Sequence, residues 1–418
     1  MDMVTETALK RAREEAMATP LDKIDVSRAD RFAEGTHWPF FDRLRAEDPV
    51  HHLADSEFGP FWSITKWKDI MEVETNPKVF SSFPTIVIGD PADGFRLPNF
   101  IAADEPWHSQ WRKPVMPGVG GERINQIEAL IRERVGVILD DLPRNEEFNW
   151  VEKVSIELTT QMLATLFDFP WEDRHLLTYW SDITTATPLV GAGIMPEEER
   201  RAILFECADY FTKLWREREH KDPTFDFVSL MAHHEDTKGL VDEPHKLLGN
   251  LILLIVGGND TTRNSISGGL LTLNQFPDQY DKLRADPSII PNMVSEIIRW
   301  QTPLAHMRRR AVEDYELGGK TIREGDKVVM WYISANRDTD KFEDPYDFDI
   351  TRKNARAHMS FGFGIHRCMG NHVAEMQLRI LWEEIMKRFD RIEVVGEAKC
   401  SKSNFVHGIT EMMVRIPG

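Results

Sequence analysis

One cysteine stands in a glycine-rich run near the carboxyl end: Phe361-Gly362-Phe363-Gly364-Ile365-His366-Arg367-Cys368-Met369-Gly370. Glycines on both sides let backbone N–H groups approach the sulfur closely. A helix predicted to begin at about Gly370 aims its positive end at that sulfur, which favours thiolate over thiol. A thiolate among close-packed glycines and basic side chains suits metal ligation. The chain has three cysteines, Cys207, Cys368 and Cys400. This odd, unpatterned set argues against a disulfide framework and for a reducing compartment. Zinc held by Cys368, His366 and His372 is an alternative, but there is no matching cysteine pair.

A second group, Gly257-Gly258-Asn259-Asp260-Thr261-Thr262, falls inside a helix predicted over residues 243–275. Adjacent glycines weaken a helix by about 1 kcal/mol each relative to alanine. Threonine hydroxyls compete for backbone carbonyls, so a local bulge or kink is expected here. Small residues leave room for a flat ligand and a diatomic molecule. Asp260 can pass protons in from solvent and Thr261 can hold the proton donor in place, a pair suited to cleaving dioxygen. The alternative is that the glycines only permit close helix packing.

Glu296 and Arg299 lie at i, i+3 on one helix face. Met293, Val294, Ile297, Ile298 and Trp300 around them predict burial, and a second arginine, Arg352, follows a turn at 342–351. His108 and Arg112 share a face of a helix that starts near Pro106.

The elements that must position these residues are mostly helical. Apolar periodicity predicts helices over 122–142, 151–169, 197–219, 243–275, 277–285, 289–301 and 370–389. Val50–Leu53 and 60–64 read as a hairpin, and 309–350 as strands and turns. Residues 80–106 form a long loop with apolar side chains. The expected organisation is one domain over 1–418, its β-rich portion at 48–66 and 309–350 and its helical core at 106–301 and 370–389. A net charge of −18 excludes nucleic acid and anionic membrane as main partners. The longest apolar run in a helix, residues 251–256, falls far short of the ~20 residues that span a bilayer. A cytoplasmic monomer without membrane anchor is expected.

In this order, across residues 104–370, the motifs resemble those of bacterial cytochrome P-450 enzymes. The carrying segments are Phe-x-x-Gly-x-His-x-Cys-x-Gly at Cys368, Gly-Gly-x-Asp-Thr-Thr at 257–262, Glu-x-x-Arg at 296–299 and Ala335-Asn336-Arg337-Asp338. The resemblance implies a mainly α fold with a small β portion, a triangular helical prism around haem. It implies haem b with Cys368 as axial ligand to iron, dioxygen as co-substrate and catalytic roles for Asp260 and Thr261. His108, Arg112, Arg309 and His366 match the haem propionate partners, with the register among Arg308, Arg309 and Arg310 left open. Glu296, Arg299 and Arg352 match a structural triad. Electrons would come from NAD(P)H through a ferredoxin reductase and a 2Fe–2S ferredoxin, docked near Arg112, Lys113, Arg356 and Arg367.

Residues 257–265, 358–368 and 378–384 are most similar to the soluble alkane and fatty-acid terminal hydroxylases. That branch implies a small hydrophobic substrate in a pocket of Ile86, Val87, Leu97, Phe100, Leu253, Val256, Gly257 and Leu304; several of these would equally suit a packed core. A hydroxylase of terpenes or other small cyclic compounds is the alternative within the family. A non-catalytic haem-thiolate sensor has no use for Asp260 and Thr261. A peroxide-driven relative would carry Arg-Pro in their place.

Overall fold

The computed structural model describes residues 5–91, 95–193 and 195–418; part of the predicted long loop, 92–94, lies outside them. Helices dominate. The longest, Pro244–Gln275, has proline in its first turn, where the missing N–H costs nothing, and stops at Phe276-Pro277. It packs against Glu157–Phe167, His175–Thr185 and Ile290–Gln301. Helix Ile290–Gln301 is buried along nearly its whole length. It ends at Thr302, whose φ of 43° is left-handed and whose hydroxyl donates to the Arg299 carbonyl at 2.8 Å. Asn371–Arg388 packs against Gly121–Asp140 and Ile290–Gln301.

The predicted hairpin forms as Val50–Leu53 and Phe61–Ile64. Phe61–Ile64 then pairs in parallel with Lys327–Met330, which pairs antiparallel with Met307–Ala311 and so with Phe80–Ser81. Strand alternation in Met307–Ala311 points Arg308 and Arg309 to opposite sides, a distinction helical spacing would not make. One large apolar cluster fills the space between the helices, and two smaller ones line the sheet.

Three local expectations change. The helix predicted over 151–169 opens with a π-helical turn at Val151–Ile156 before Glu157–Phe167. The bulge expected in the long helix is absent. Helix continues through 257–262, and Asn264 and Ser265 donate to the Asp260 and Thr261 carbonyls within it. The strands Glu393–Val394, Lys399–Cys400, Ile409–Glu411 and Met413–Arg415 had no sequence signal, since two or three residues carry no period.

Candidate active site

Cys368 opens into a cavity of about 320 Å³ between the long helix and the loop before Asn371–Arg388. Its N–H donates to the Phe361 carbonyl at 2.8 Å, closing the loop on itself. Gly364 adopts φ +64°, and a Cβ there would fall 2.2 Å from the Glu74 carbonyl oxygen, so only glycine fits. Burial pushes the Cys368 thiol upward in pKa. The N–H groups of Gly370 and Asn371 and the charges of Arg112 and Arg367 oppose that shift. Cys368 is exposed and lines the cavity.

A buried polar network holds this loop. Arg299 Nε and Nη2 each donate to Glu296 at 2.7 Å, with both residues fully buried. Arg352 Nε donates to Glu296 Oε1 at 3.1 Å, which brings the predicted triad together. Arg299 also donates to the Asn336 carbonyl at 2.8 Å and the Pro345 carbonyl at 3.0 Å. Asn336 extends the network. Its Nδ2 donates to Ser360 Oγ at 2.9 Å, and its Oδ1 accepts from the Met359 N–H at 2.7 Å, eight or nine residues before the cysteine. The i, i+3 spacing exposed the pair; nothing in the sequence marked Asn336 as the link.

Of the predicted basic partners, Arg112, Arg309 and His366 line the cavity with Cys368. Arg308 instead donates to the Ile88 and Gly89 carbonyls and pairs with Asp90. Arg309 meets a carboxylate the sequence reading missed, Glu74, at 2.9 Å, and Glu74 also accepts from the Tyr332 hydroxyl. His108 does not line the cavity. Its Nδ1 faces the Phe100 carbonyl at 2.8 Å and its Nε2 the Ile365 carbonyl at 3.1 Å, so both ring nitrogens are taken by backbone. His366 stands between His108 and the cavity, its ring 4.3 Å from that of His108. Its Nε2 meets Ser82 Oγ at 2.8 Å, while its buried Nδ1 has no partner. Burial, then Arg309, His108 and Arg112, push the His366 pKa down to about 2, so the ring is neutral.

On the long helix, Thr261 lines the cavity and donates to the Gly257 carbonyl at 2.9 Å. Asp260, one residue earlier, does not reach the cavity. Helical geometry turns it about 100° away, into full burial. Its Oδ1 accepts from Arg263 at 2.7 Å and from Asn259 at 3.1 Å, and its Oδ2 has no partner. Arg263 also reaches Asp182 at 2.9 Å, and Asp182 is half exposed. Burial raises the Asp260 pKa, against the pull of Arg263. The two glycines divide the two readings between them. A Cβ on Gly258 would strike Leu163 at 2.7 Å, which is close packing; one on Gly257 would meet nothing within 4 Å and project into the cavity.

Seven of the eight predicted pocket residues line the cavity: Ile86, Val87, Phe100, Leu253, Val256, Gly257 and Leu304. Leu97 does not. The backbone of 97–98 lies directly over Gly249 of the long helix, and its side chain packs on the core. Thr184, Thr185 and Thr187 line the cavity without any motif to announce them.

The donor set fits a haem. A thiol, two arginines, a histidine with an unpartnered buried ring nitrogen and a glycine facing open space meet in one cavity. A sequence model of the family described as Cytochrome P450 matches residues 197–411. Linalool 8-monooxygenase of Pseudomonas putida is 35% identical over 94% of this chain and 99% of its own. Methyl-branched lipid omega-hydroxylase of Mycobacterium tuberculosis is 30% identical over 90% of each. Cytochrome P450-153 from Novosphingobium aromaticivorans superposes with a TM-score of 0.88 at 46% identity, over 94% of this chain and 99% of that one.

Proposed function

The chain belongs to the cytochrome P450 family and is a P450 monooxygenase, and on that premise we propose that it hydroxylates the chain end of a medium-chain alkane or fatty acid. The observation that carries the proposal is one cavity lined by Cys368 together with Leu253, Val256, Leu304, Phe100 and Ile252. Apolar walls align a flexible chain by excluding water from it. The likeness to an omega-hydroxylase of methyl-branched lipids supports the same regiochemistry. A second reading, a terpene substrate, is favoured by the 35% identity to linalool 8-monooxygenase.

Cys368 would be the axial ligand, and Arg112, Arg309 and His366 would meet the propionates of haem b, with His108 behind His366 as a positioning residue. Bound there, haem supplies reductive activation of dioxygen, one atom of which enters a substrate C–H bond while the other leaves as water. Two electrons and two protons balance that reaction. Asp260, tied through Arg263 to the half-exposed Asp182, would exchange protons with solvent and deliver them toward Thr261, while Arg263 stays charged and holds the two carboxylates together. Thr261 Oγ1 holds the last donor in place. Glu74 and Tyr332 fix the Arg309 guanidinium from behind.

Electrons would originate in NAD(P)H and arrive through a ferredoxin reductase and a 2Fe–2S ferredoxin. Lys113, Arg356 and Arg367 are exposed cations beside or near the ligand loop on an otherwise acidic protein, and they suit an acidic donor. No helix among the described residues is long and apolar enough to cross a membrane.

The reading is tested by supplying purified haem-loaded protein with a ferredoxin, its reductase and NADH, and offering octane or a monoterpene. Octane converted to 1-octanol is expected. Turnover of the terpene with octane untouched would replace the first reading by the second.

A further inference from the structure

Resting on the reading that a chain-shaped substrate enters this cavity end-on, we propose that Thr184, Thr185 and Thr187 form a recognition site for the hydroxyl group of a neutral alcohol. All three line the cavity. They lie at the carboxyl end of helix His175–Thr185 and in the turn that follows.

Their hydrogen bonds give them unlike roles. Thr184 Oγ1 donates to the Trp180 carbonyl at 2.7 Å, and Thr185 Oγ1 donates to the Ser181 carbonyl at 3.2 Å. Each proton is committed inside the helix, so these two oxygens offer the cavity only lone pairs. Thr187 is the reverse. Its Oγ1 accepts a long bond from the Leu189 N–H at 3.4 Å, and its own proton has no acceptor among the described residues. Thr187 is only 8% exposed, so solvent barely relieves that donor.

The wall therefore presents two acceptors and one donor. An alcohol oxygen both donates and accepts, and it satisfies this set. A carboxylate only accepts: it would find one donor and two opposed lone-pair oxygens. It would also find no cation. The cationic side chains lining the cavity, Arg112 and Arg309, sit on Trp107–Arg112 and on Met307–Ala311. Thr184 and Thr185 belong to a helix packed along Pro244–Gln275 and Glu197–Arg218, and Thr187 follows it. A carboxylate buried at this wall would stay unpaired, which is strongly unfavourable. An alkane binds without using the wall. The site thus selects, among chains of one length, a neutral alcohol over a fatty acid, and it holds the oxygenated end so that the remote end is oxidised.

The test uses the haem-loaded protein, with binding read by calorimetry and by the haem absorbance shift, for octane, 1-octanol and octanoate. Octanoate is expected to bind at least about tenfold more weakly than 1-octanol. Thr187→Val should weaken 1-octanol about five- to tenfold, one hydrogen bond, and leave octane within about twofold. Thr187→Ser keeps the hydroxyl and should keep the alcohol affinity, which separates a lost donor from a disturbed fold. The product from 1-octanol should be the 1,8-diol. Octanoate binding as tightly as 1-octanol, an unchanged alcohol affinity in Thr187→Val, or octanal as the product would each overturn the hydroxyl site while octane binding left the chain reading standing. Failure of all three compounds to bind would remove the chain reading, and this site with it.

Discussion

The two sides of the cavity are built by opposite means. On the cysteine side, the residues holding the loop are polar, buried and multiply bonded: Glu296 and Arg299 have no exposed surface, and they bond to Asn336 and Arg352, 37 and 56 residues away. On the other side the wall is mostly apolar, and among its hydroxyls Thr184, Thr185, Thr261 and Ser265 bond to carbonyls of their own helices. A ligand that must hold a metal in one geometry needs directional bonds from many quarters. A wall that accepts a flexible chain needs shape and dryness. The difference implies that changes on the first side destroy the protein's chemistry or its fold, whereas changes on the second redirect the chemistry with the fold intact.

Cys368→Ala should have the largest effect. It removes the thiol that would ligate iron, so monooxygenation should vanish, together with the red-shifted carbon monoxide band of the reduced protein. An active alanine variant would end the ligand assignment. Arg299→Ala comes next. It leaves Glu296 buried beside Arg352 alone, at a cost of about 3–5 kcal/mol, read as a lower denaturation midpoint and a reduced haem content. A loss under about 1 kcal/mol would mean the network is dispensable and the contrast between the sides overdrawn. Thr261→Ala is the smallest in stability, within about 0.5 kcal/mol, since the hydroxyl bonds only to its own helix. It should nonetheless divert NADH-derived electrons from product to hydrogen peroxide. Coupling equal to that of the parent protein would remove Thr261 from the proton route.

Much of the site was legible beforehand because its motifs are local. Glycine spacing around Cys368, the i, i+3 pair at 296 and 299 and the acid–alcohol pair at 260 and 261 are short-range patterns imposed by backbone geometry. The partners that complete them come from afar. Glu74, Tyr332 and Ser82 carry no signature, since a buried side chain's partner depends on how distant segments dock. Periodicity also misjudged orientation. Asp260 and Thr261 are neighbours in sequence, yet the helical turn sends one into the core against Arg263 and the other into the cavity. His108 shares a helix face with Arg112, but His366 comes between it and the cavity.

By itself, the sequence determined which residues can bind metal, carry protons and pair charges, and that long amphipathic segments would fold as helices, because these follow from side-chain chemistry and local repeat. Only the tertiary structure decided which of three consecutive arginines faces the cavity, which of two glycines makes room in it, and that three unremarked threonines share its wall. Those outcomes depend on strand alternation, helix docking and the commitment of each hydroxyl proton, and all three arise only when segments far apart in the chain are packed together.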